Sequence, residues 1–339
     1  MDIREIAKKA GVSISTVSRA INQPHLVNKK TREKILTIVK ESGYVPNPFA
    51  RGLLTGKTST IALVVPTLKN PIFGETAEGA ESYLSFHGYS LITYSSLASM
   101  ERYQTIVDNI RSRKVDGIIL AGSGIFQRGY QEPLEDINVP IVAIEYLPGN
   151  TTMSCIYVDD ITGVKMALEH LIFLNHRRIA LIAGNPGMIV TKRRLEAAYK
   201  TLEFYNIDIK EEYLVSGLYA HMESGYTAME KLLAVDPLPT AVFAFNDMLA
   251  IGAIKCIKDK GLSVPHDISI IGFDNIPTGE YISPGLTTIN QPCLDIAEKA
   301  AKMLLEQIAK PATSVRKILL PCELIIRGST SENRKKQVS

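Results

Sequence analysis

Between Asp2 and Asn22 the chain reads DIREIAKKAGVSISTVSRAIN, and its chemically capable residues there are Arg19 and the small polar groups around it. An arginine guanidinium is a planar fork of donors that can engage O6 and N7 of a guanine in the major groove. Serine and threonine hydroxyls beside it suit phosphate oxygens and base edges. Such groups act together only if one helix presents them, and the flanking residues supply that helix. Asp2 is a good N-cap answered by Glu5, and Ile3, Ile6, Ala7 and Ala10 recur at helical spacing until Gly11 stops the helix. Ser13 caps a second helix in which Val17 and Ile21 lie one turn apart and face inward. Ile14, Ser15, Ser18, Arg19 and Asn22 are thereby turned outward. The two helices form a helix-turn-helix with a small, polar outer face, as a major groove requires. A small helical bundle with a merely solvated face fits the same spacing.

Particular residues go beyond spacing. Ile6-Ala7, Gly11-Val12-Ser13, Thr16-Val17-Ser18-Arg19 and Asn22 resemble the DNA-binding headpiece of the lactose/purine repressor family. That resemblance places Ile14, Ser15 and Arg19 at base-reading positions and Thr16 and Ser18 nearer the phosphates. It includes Asn22, Tyr44 and Arg51 among the DNA-contacting positions. Ile14 departs from the polar residue often found there and offers a thymine methyl an apolar contact instead.

With 339 residues and a net charge of +3, the chain suits two or three domains with sizeable cores. The charge is unevenly placed. Through Lys57 there are 11 Lys and Arg against 4 Asp and Glu, a balance of +7 that leaves −4 on the remainder. A basic head on a mildly acidic body confines phosphate binding to the head. Cys155, Cys256, Cys293 and Cys322 are scattered, which argues against a zinc site or a disulfide framework and for reduced, mostly buried thiols. No signal peptide precedes the first helix, and no apolar run reaches the ~20 residues of a membrane span. The expected location is cytoplasmic, so the Asn150-Thr151-Thr152 sequon reads as an ordinary loop.

Asn28 caps a third helix running to about Ser42, with Ile35, Leu36, Ile38 and Val39 as its core stripe and Gly43 as its stop. Tyr44-Val45-Pro46-Asn47-Pro48 breaks the pattern, and Phe49 to Leu54 follows as a weak helix, handicapped by Gly52 at ~1 kcal/mol relative to alanine. This segment is similar to the family's hinge, which orders on operator DNA and inserts a leucine into the minor groove; Leu53 sits at the matching position. An ordinary linker with Leu53 and Leu54 packed on the body explains the residues equally well. Gly52 to Thr58 misses the P-loop spacing by one residue and lacks a preceding strand, which excludes nucleotide hydrolysis on that basis.

Beyond Thr58 apolar strands alternate with amphipathic helices. Ile61 to Pro66, Ser90 to Tyr94, Gly117 to Ala121 and Ile141 to Ile144 read as buried strands, with helices from Phe73, Met100 and Phe126. A second series reads Arg178 to Ala183, Tyr213 to Ser216, Ala241 to Phe245 and Ile268 to Phe273, with helices near Leu195, Tyr226 and Leu249. Two series of βαβ units imply two lobes with parallel sheets and a cleft beyond their carboxyl ends. Val115 to Ile119, Asn246-Asp247, Gly272-Phe273-Asp274 and Leu286 to Ile289 extend the family resemblance over almost the whole chain, and through it to the periplasmic sugar-binding fold. The fold class expected is therefore an α-helical helix-turn-helix headpiece on an α/β, two-lobed, periplasmic-binding-protein-like (type I) effector domain. The boundaries expected are 1–45 for the headpiece, 46–58 for the hinge, 59–330 for the effector domain and 331–339 for a polar tail. Family topology implies crossings between lobes near Asp160, Ile289 and Pro321. The first lobe then takes about 59–160 plus 290–320, and the second about 161–289 plus 321–330. Helix Pro292 to Ile308 returns to the first lobe, and strand Glu323 to Arg327 to the second.

By the same resemblance the effector pocket draws on Phe73, Glu145, Arg194, Tyr219, Asn246 and Asp274. Arg194 and Asp274 would clamp a polyhydroxyl ligand through charge-assisted hydrogen bonds, with Phe73 and Tyr219 covering a ring face. On residues alone Arg194 is an exposed helix-start residue beside Lys192 and Arg193, Asp274 a turn cap, and the aromatics plain core. Ile72, Met188 and Val190 replace polar or aromatic contacts of some relatives, so the full contact set of the purine relative is missing. A sugar or sugar phosphate is the expected effector, with a nucleobase or nucleoside, or a docking protein, as alternatives.

The reading is a ligand-responsive transcriptional regulator, a repressor, acting as a homodimer on a pseudo-palindromic double-stranded operator. No cofactor, metal or membrane is implied. Gly122-Ser123-Gly124 is not a nucleophile elbow and the six histidines lack metal-ligand spacing, so an enzyme is not expected. A transport-type binding protein would share the body but carry a signal sequence and no basic head. The tail from Ser329 lacks apolar heptads, so no coiled-coil tetramer is expected.

Overall fold

The computed structural model describes residues 2–44, 57–97, 99–113, 115–122, 134, 137–148, 153–217, 221–311 and 314–333. The chain divides into two compact units, Met1–Ser59 and Thr60–Ser339. Arg51, Leu53, Tyr219, the hinge helix and the helix expected from Phe126 lie outside the described residues.

In the first unit, α1 (Ile3–Ala10) begins on a reciprocal capping box: the Glu5 N–H donates to Asp2 Oδ1 at 2.9 Å, and the Asp2 N–H to Glu5 Oε2 at 2.8 Å. Gly11 ends it at φ 72°, a left-handed conformation that favours glycine. Ser13 caps α2 (Ile14–Asn22) by accepting the Thr16 N–H, and Asn28 caps α3 (Lys29–Ser42) by accepting the Lys30 N–H at 3.0 Å. Ile6, Ala7, Ala10, Val17, Ala20, Ile35 and Ile38 form the core. Leu36 is not part of that stripe and is exposed. A helix advances 100° per residue, so the face set by Ile35, Ile38 and Val39 turns position 36 toward solvent.

The second unit contains two six-stranded sheets. The first has the order β11-β5-β4-β3-β1-β2 and the second β12-β10-β9-β8-β6-β7. In the first, β1 (Thr60–Val65), β2 (Ser90–Ser95), β3 (Gly117–Ala121), β4 (Ile141–Ile144) and β5 (Ser154–Val158) are joined by β11 (Lys317–Leu320), and every pairing is parallel. The second combines β6 (Ile179–Ala183), β7 (Leu214–Ser216), β8 (Ala241–Ala244), β9 (Ser269–Asp274) and β10 (Thr287–Asn290) with an antiparallel edge, β12 (Glu323–Ile325). Strands β5, β10 and β11 are not among those expected from the sequence.

The strands are apolar in runs because parallel sheets are covered on both faces. Along β1, Ile61, Leu63 and Val65 enter one cluster while Ala62 and Val64 enter another, the alternation of a pleated strand. The larger cluster continues into the second lobe through Val164, Phe273 and Ile289. Helices α4 (Pro71–Phe86), α5 (Met100–Arg113), α6 (Asp160–Phe173), α7 (Ile189–Phe204), α8 (Met222–Leu233), α9 (Asp247–Asp259), α10 (Thr278–Tyr281) and α11 (Cys293–Ala309) surround the sheets. The chain changes sheet between β5 and β6, between β10 and β11, and between β11 and β12.

The segment from Ser329 to Asn333 is not a free tail. Ser329 is fully buried; its hydroxyl donates to the Ile270 carbonyl at 2.6 Å and accepts the Thr287 N–H at 2.8 Å. The Ser331 carbonyl lies 3.0 Å from His176 Nε2, and the Asn333 N–H donates to the Leu174 carbonyl at 2.8 Å. Hydroxyls and backbone here satisfy second-lobe polar groups, so a polar composition accompanies burial. All four cysteines are free and buried. Among the described residues no helix is long and apolar enough to cross a membrane.

Candidate functional site

On the first unit, α2 carries the candidate DNA face. Val17 and Ala20 are buried, whereas Ile14, Ser15 and Arg19 are exposed and Thr16 and Ser18 are half-buried. The hydroxyls of Ser15 and Thr16 each lie 2.8 Å from that of Ser13, which orders the start of the helix. Tyr44 packs against the headpiece core.

Within the second unit a cavity of about 640 Å³ lies where strands of both sheets end. This is the position at which open α/β sheets collect ligands, and the volume suits a small organic molecule. Residues following β1, β3 and β4 (Pro66, Gly122 and Glu145) form one side; Gly184, Asn246 and Asp274, at the ends of β6, β8 and β9, form the other. Phe73, Ile72, Met188 and Val190 add apolar walls. Of the expected pocket residues, Phe73, Glu145, Arg194, Asn246 and Asp274 all line this cavity.

Their roles differ. Arg194 is buried, contrary to the exposed position its sequence neighbours imply. Its Nε donates to Asp160 Oδ1 at 2.9 Å, its Nη1 donates to the Phe245 carbonyl and lies 3.9 Å from Asp274 Oδ1, and its guanidinium stacks 3.6 Å from the Phe273 ring centroid. Asp274 accepts Gln291 Nε2 at 2.5 Å. Arg194 and Asp274 are thus brought together, but the protein itself already supplies much of their hydrogen bonding. Burial pushes the Asp274 carboxyl up to about 7, with Arg194 and side-chain hydrogen bonds from Gln291 and Asn70 opposing the shift. Asp274 and Asn275 have φ of 117° and 60°. The loop is fixed from below by Asp247, which accepts the Ile276 N–H at 2.8 Å and the Thr288 hydroxyl at 2.5 Å. Asn246 caps α9 by accepting the Leu249 N–H at 2.8 Å.

Glu145 is the contrasting group. It is 9% exposed, and neither carboxylate oxygen has a hydrogen-bond partner within the protein. Burial first, and then the Asp160 charge, hold its carboxyl well above the usual range.

Residues not anticipated from sequence complete the site. Asp160 joins the cluster from the start of α6; Arg193 Nε lies 3.7 Å from Asp160 Oδ2 while its guanidinium stacks 3.9 Å from the Tyr146 ring centroid. The signal for Asp160 was the Asp159-Asp160 pair: Asp159 caps α6 by accepting the Thr162 N–H, which leaves its neighbour for another task. Gln291, after β10, carries no comparable signal. Among the described residues no cluster of His, Cys, Asp and Glu suits a metal.

Comparison with known proteins parallels this two-part construction. Residues 2–47 match the family described as bacterial regulatory proteins, lacI family, and residues 168–330 match the periplasmic binding protein-like domain. The chain is 34% identical over 328 residues to the HTH-type transcriptional repressor CytR of Escherichia coli (strain K12), covering 97% of this chain and 96% of that protein. Its structure is similar to that of the lac repressor dimer bound to operator and the anti-inducer ONPF, with a TM-score of 0.74 for a second relative, the transcriptional regulator CelR in complex with cellobiose, and 0.86 for the lac repressor. The lac repressor comparison has 27% identity and covers 98% of this chain and 99% of the other; the CelR comparison has 28% identity and covers 97% and 99%.

Proposed function

Because the chain belongs to the lacI family of bacterial regulatory proteins, we propose that it represses transcription as a homodimer on a pseudo-palindromic operator and is controlled by a carbohydrate bound between the lobes. A dimer with two-fold symmetry presents two copies of α2, and paired half-sites answer that symmetry. Arg19, with Ile14 and Ser15 beside it, is the base-reading group on each copy.

The observation that carries the effector half is the cavity at the strand ends of both sheets, with apolar walls and Glu145, Asn246 and Asp274 at its polar positions. A molecule with hydroxyls around a hydrophobic face complements that mixture. CelR, bound to cellobiose, and a lacI-family regulator of Enterococcus faecium, bound to ribose, support the same class. Binding there changes the angle between lobes and transmits a coupling free energy of about 1–3 kcal/mol to the headpieces. Calorimetry with a panel of sugars and sugar phosphates, with and without operator DNA, tests the reading. A sugar that binds and shifts operator affinity supports it; failure of the whole panel favours control by a docking protein.

A further inference from the structure

Glu145 and the charges around it narrow the effector class. The carboxylate is buried against the cavity with both oxygens lacking a partner in the protein. A buried acceptor without a donor is costly, and a carboxyl group presents two oxygens that can accept. The cavity's guanidinium groups do not answer it: Arg194 is engaged with Asp160, the Phe245 carbonyl and Asp274, and Arg193 lies over Tyr146 beside Asp160. The one lysine of the lining, Lys69, is exposed. An incoming phosphate would meet three acidic side chains, Glu145, Asp160 and Asp274, with Arg194 already engaged by the protein and Arg193, whose Nε lies 3.7 Å from Asp160 Oδ2 without a hydrogen bond, as the one guanidinium with a donor left.

We propose that Glu145 is the specificity-determining residue of the cavity, selecting an unphosphorylated polyol that brings two hydrogen-bond donors on one edge and rejecting its phosphate ester. The inference rests on the carbohydrate reading and divides the sugars from the sugar phosphates within it. Vicinal hydroxyls, or a hydroxyl beside an amino group, each provide such an edge. The Glu145 carboxylate receives their protons in hydrogen bonds, with no bond made or broken.

The test uses the full-length protein with D-ribose, D-xylulose, cellobiose and D-glucosamine, each unmodified and as a phosphate ester, measured by calorimetry and thermal shift. At least one unmodified sugar is expected to bind about tenfold or more tightly than its ester, a difference set by the unpartnered oxygens of Glu145. Glu145→Gln, which exchanges one acceptor for a donor, should lower affinity for that sugar by about tenfold while narrowing its margin over the ester. Glucosamine against the neutral sugars separates the two donor edges: preference for either one is consistent with the assignment and names the edge. An ester that binds as well as or better than its parent sugar overturns the assignment but leaves the carbohydrate reading intact. Failure of every probe overturns both. Independently of any ligand, Glu145→Met should raise the melting temperature, because it removes a buried carboxylate without a protein partner; a lowered melting temperature in correctly folded variant protein overturns the assignment.

Discussion

Replacing Arg194 with methionine tests how the cavity is held together. The substitution removes a guanidinium whose side chain is 8% exposed and leaves the buried Asp160 and Asp274, at 6% and 5%, without their shared cation. It also removes the donor to the Phe245 carbonyl and the cation stacked on Phe273. Taking one partner from a buried ion pair costs about 3–5 kcal/mol, because the remaining charge keeps its desolvation penalty. At roughly 2 °C per kcal/mol for a large domain, the effector body should melt about 6–10 °C lower. The pH dependence identifies the cause. Burial raises Asp274 from the ordinary carboxylate range to about 7 in the folded state, so its protonated form is favoured by folding. Its contribution is full below the unfolded value and is lost as pH rises through about 7. Arg194 opposes that rise, so its removal raises Asp274 further, and the deficit of Arg194→Met should shrink between about pH 8 and pH 5.5. Calorimetric melts across that range provide the assay. A loss under about 1 kcal/mol, or a deficit independent of pH, would refute the compensated buried cluster.

Three further changes probe other levels. Arg19→Ala should cost about 1–3 kcal/mol on a specific operator and relax preference at one base pair, read by anisotropy on single-base variants; equal losses on random DNA would assign Arg19 to phosphate alone. Gly252→Ala places a methyl against the Met222 carbonyl where α8 and α9 approach closely, so denaturant unfolding should show a loss of about 1–3 kcal/mol, and an unchanged midpoint would count against that contact. Ending the chain after Gly328 removes the Ser329 and Ser331 bonds to the second lobe and should lower the melting temperature. An unaffected melt would show that the segment contributes little to stability.

The elements most legible in the sequence were those whose signals are local. The Asp2 and Glu5 box, the stop at Gly11 and the caps at Ser13 and Asn28 depend on residues within one helical turn, and the structure contains each of them. The long apolar strands were legible for a similar reason. Strand β5 was less so, because SCIYV mixes polar and apolar residues in a short run. Leu36 illustrates the limit of an apolar count: four apolar residues in α3 cannot all share one face, and tertiary packing selects Ile35 and Ile38. Ser329 misleads in the opposite direction, since its hydroxyl is buried by satisfying backbone groups far away in sequence. At the cavity, residue type and family resemblance placed Arg194, Asp274 and Glu145 together. Which of them already has protein partners depends on Asp160 and Gln291, which reach the site from separate crossings between the sheets.

A sugar bound in the cavity should change how strongly α2 holds DNA. The most direct measurement is the affinity of the full-length protein for an operator fragment selected from random-sequence DNA, with and without a saturating sugar already shown to bind by calorimetry. A change of about 5- to 150-fold is expected, abolished with the sugar's binding by Asp274→Asn. An operator affinity that stays the same with the sugar bound would contradict it.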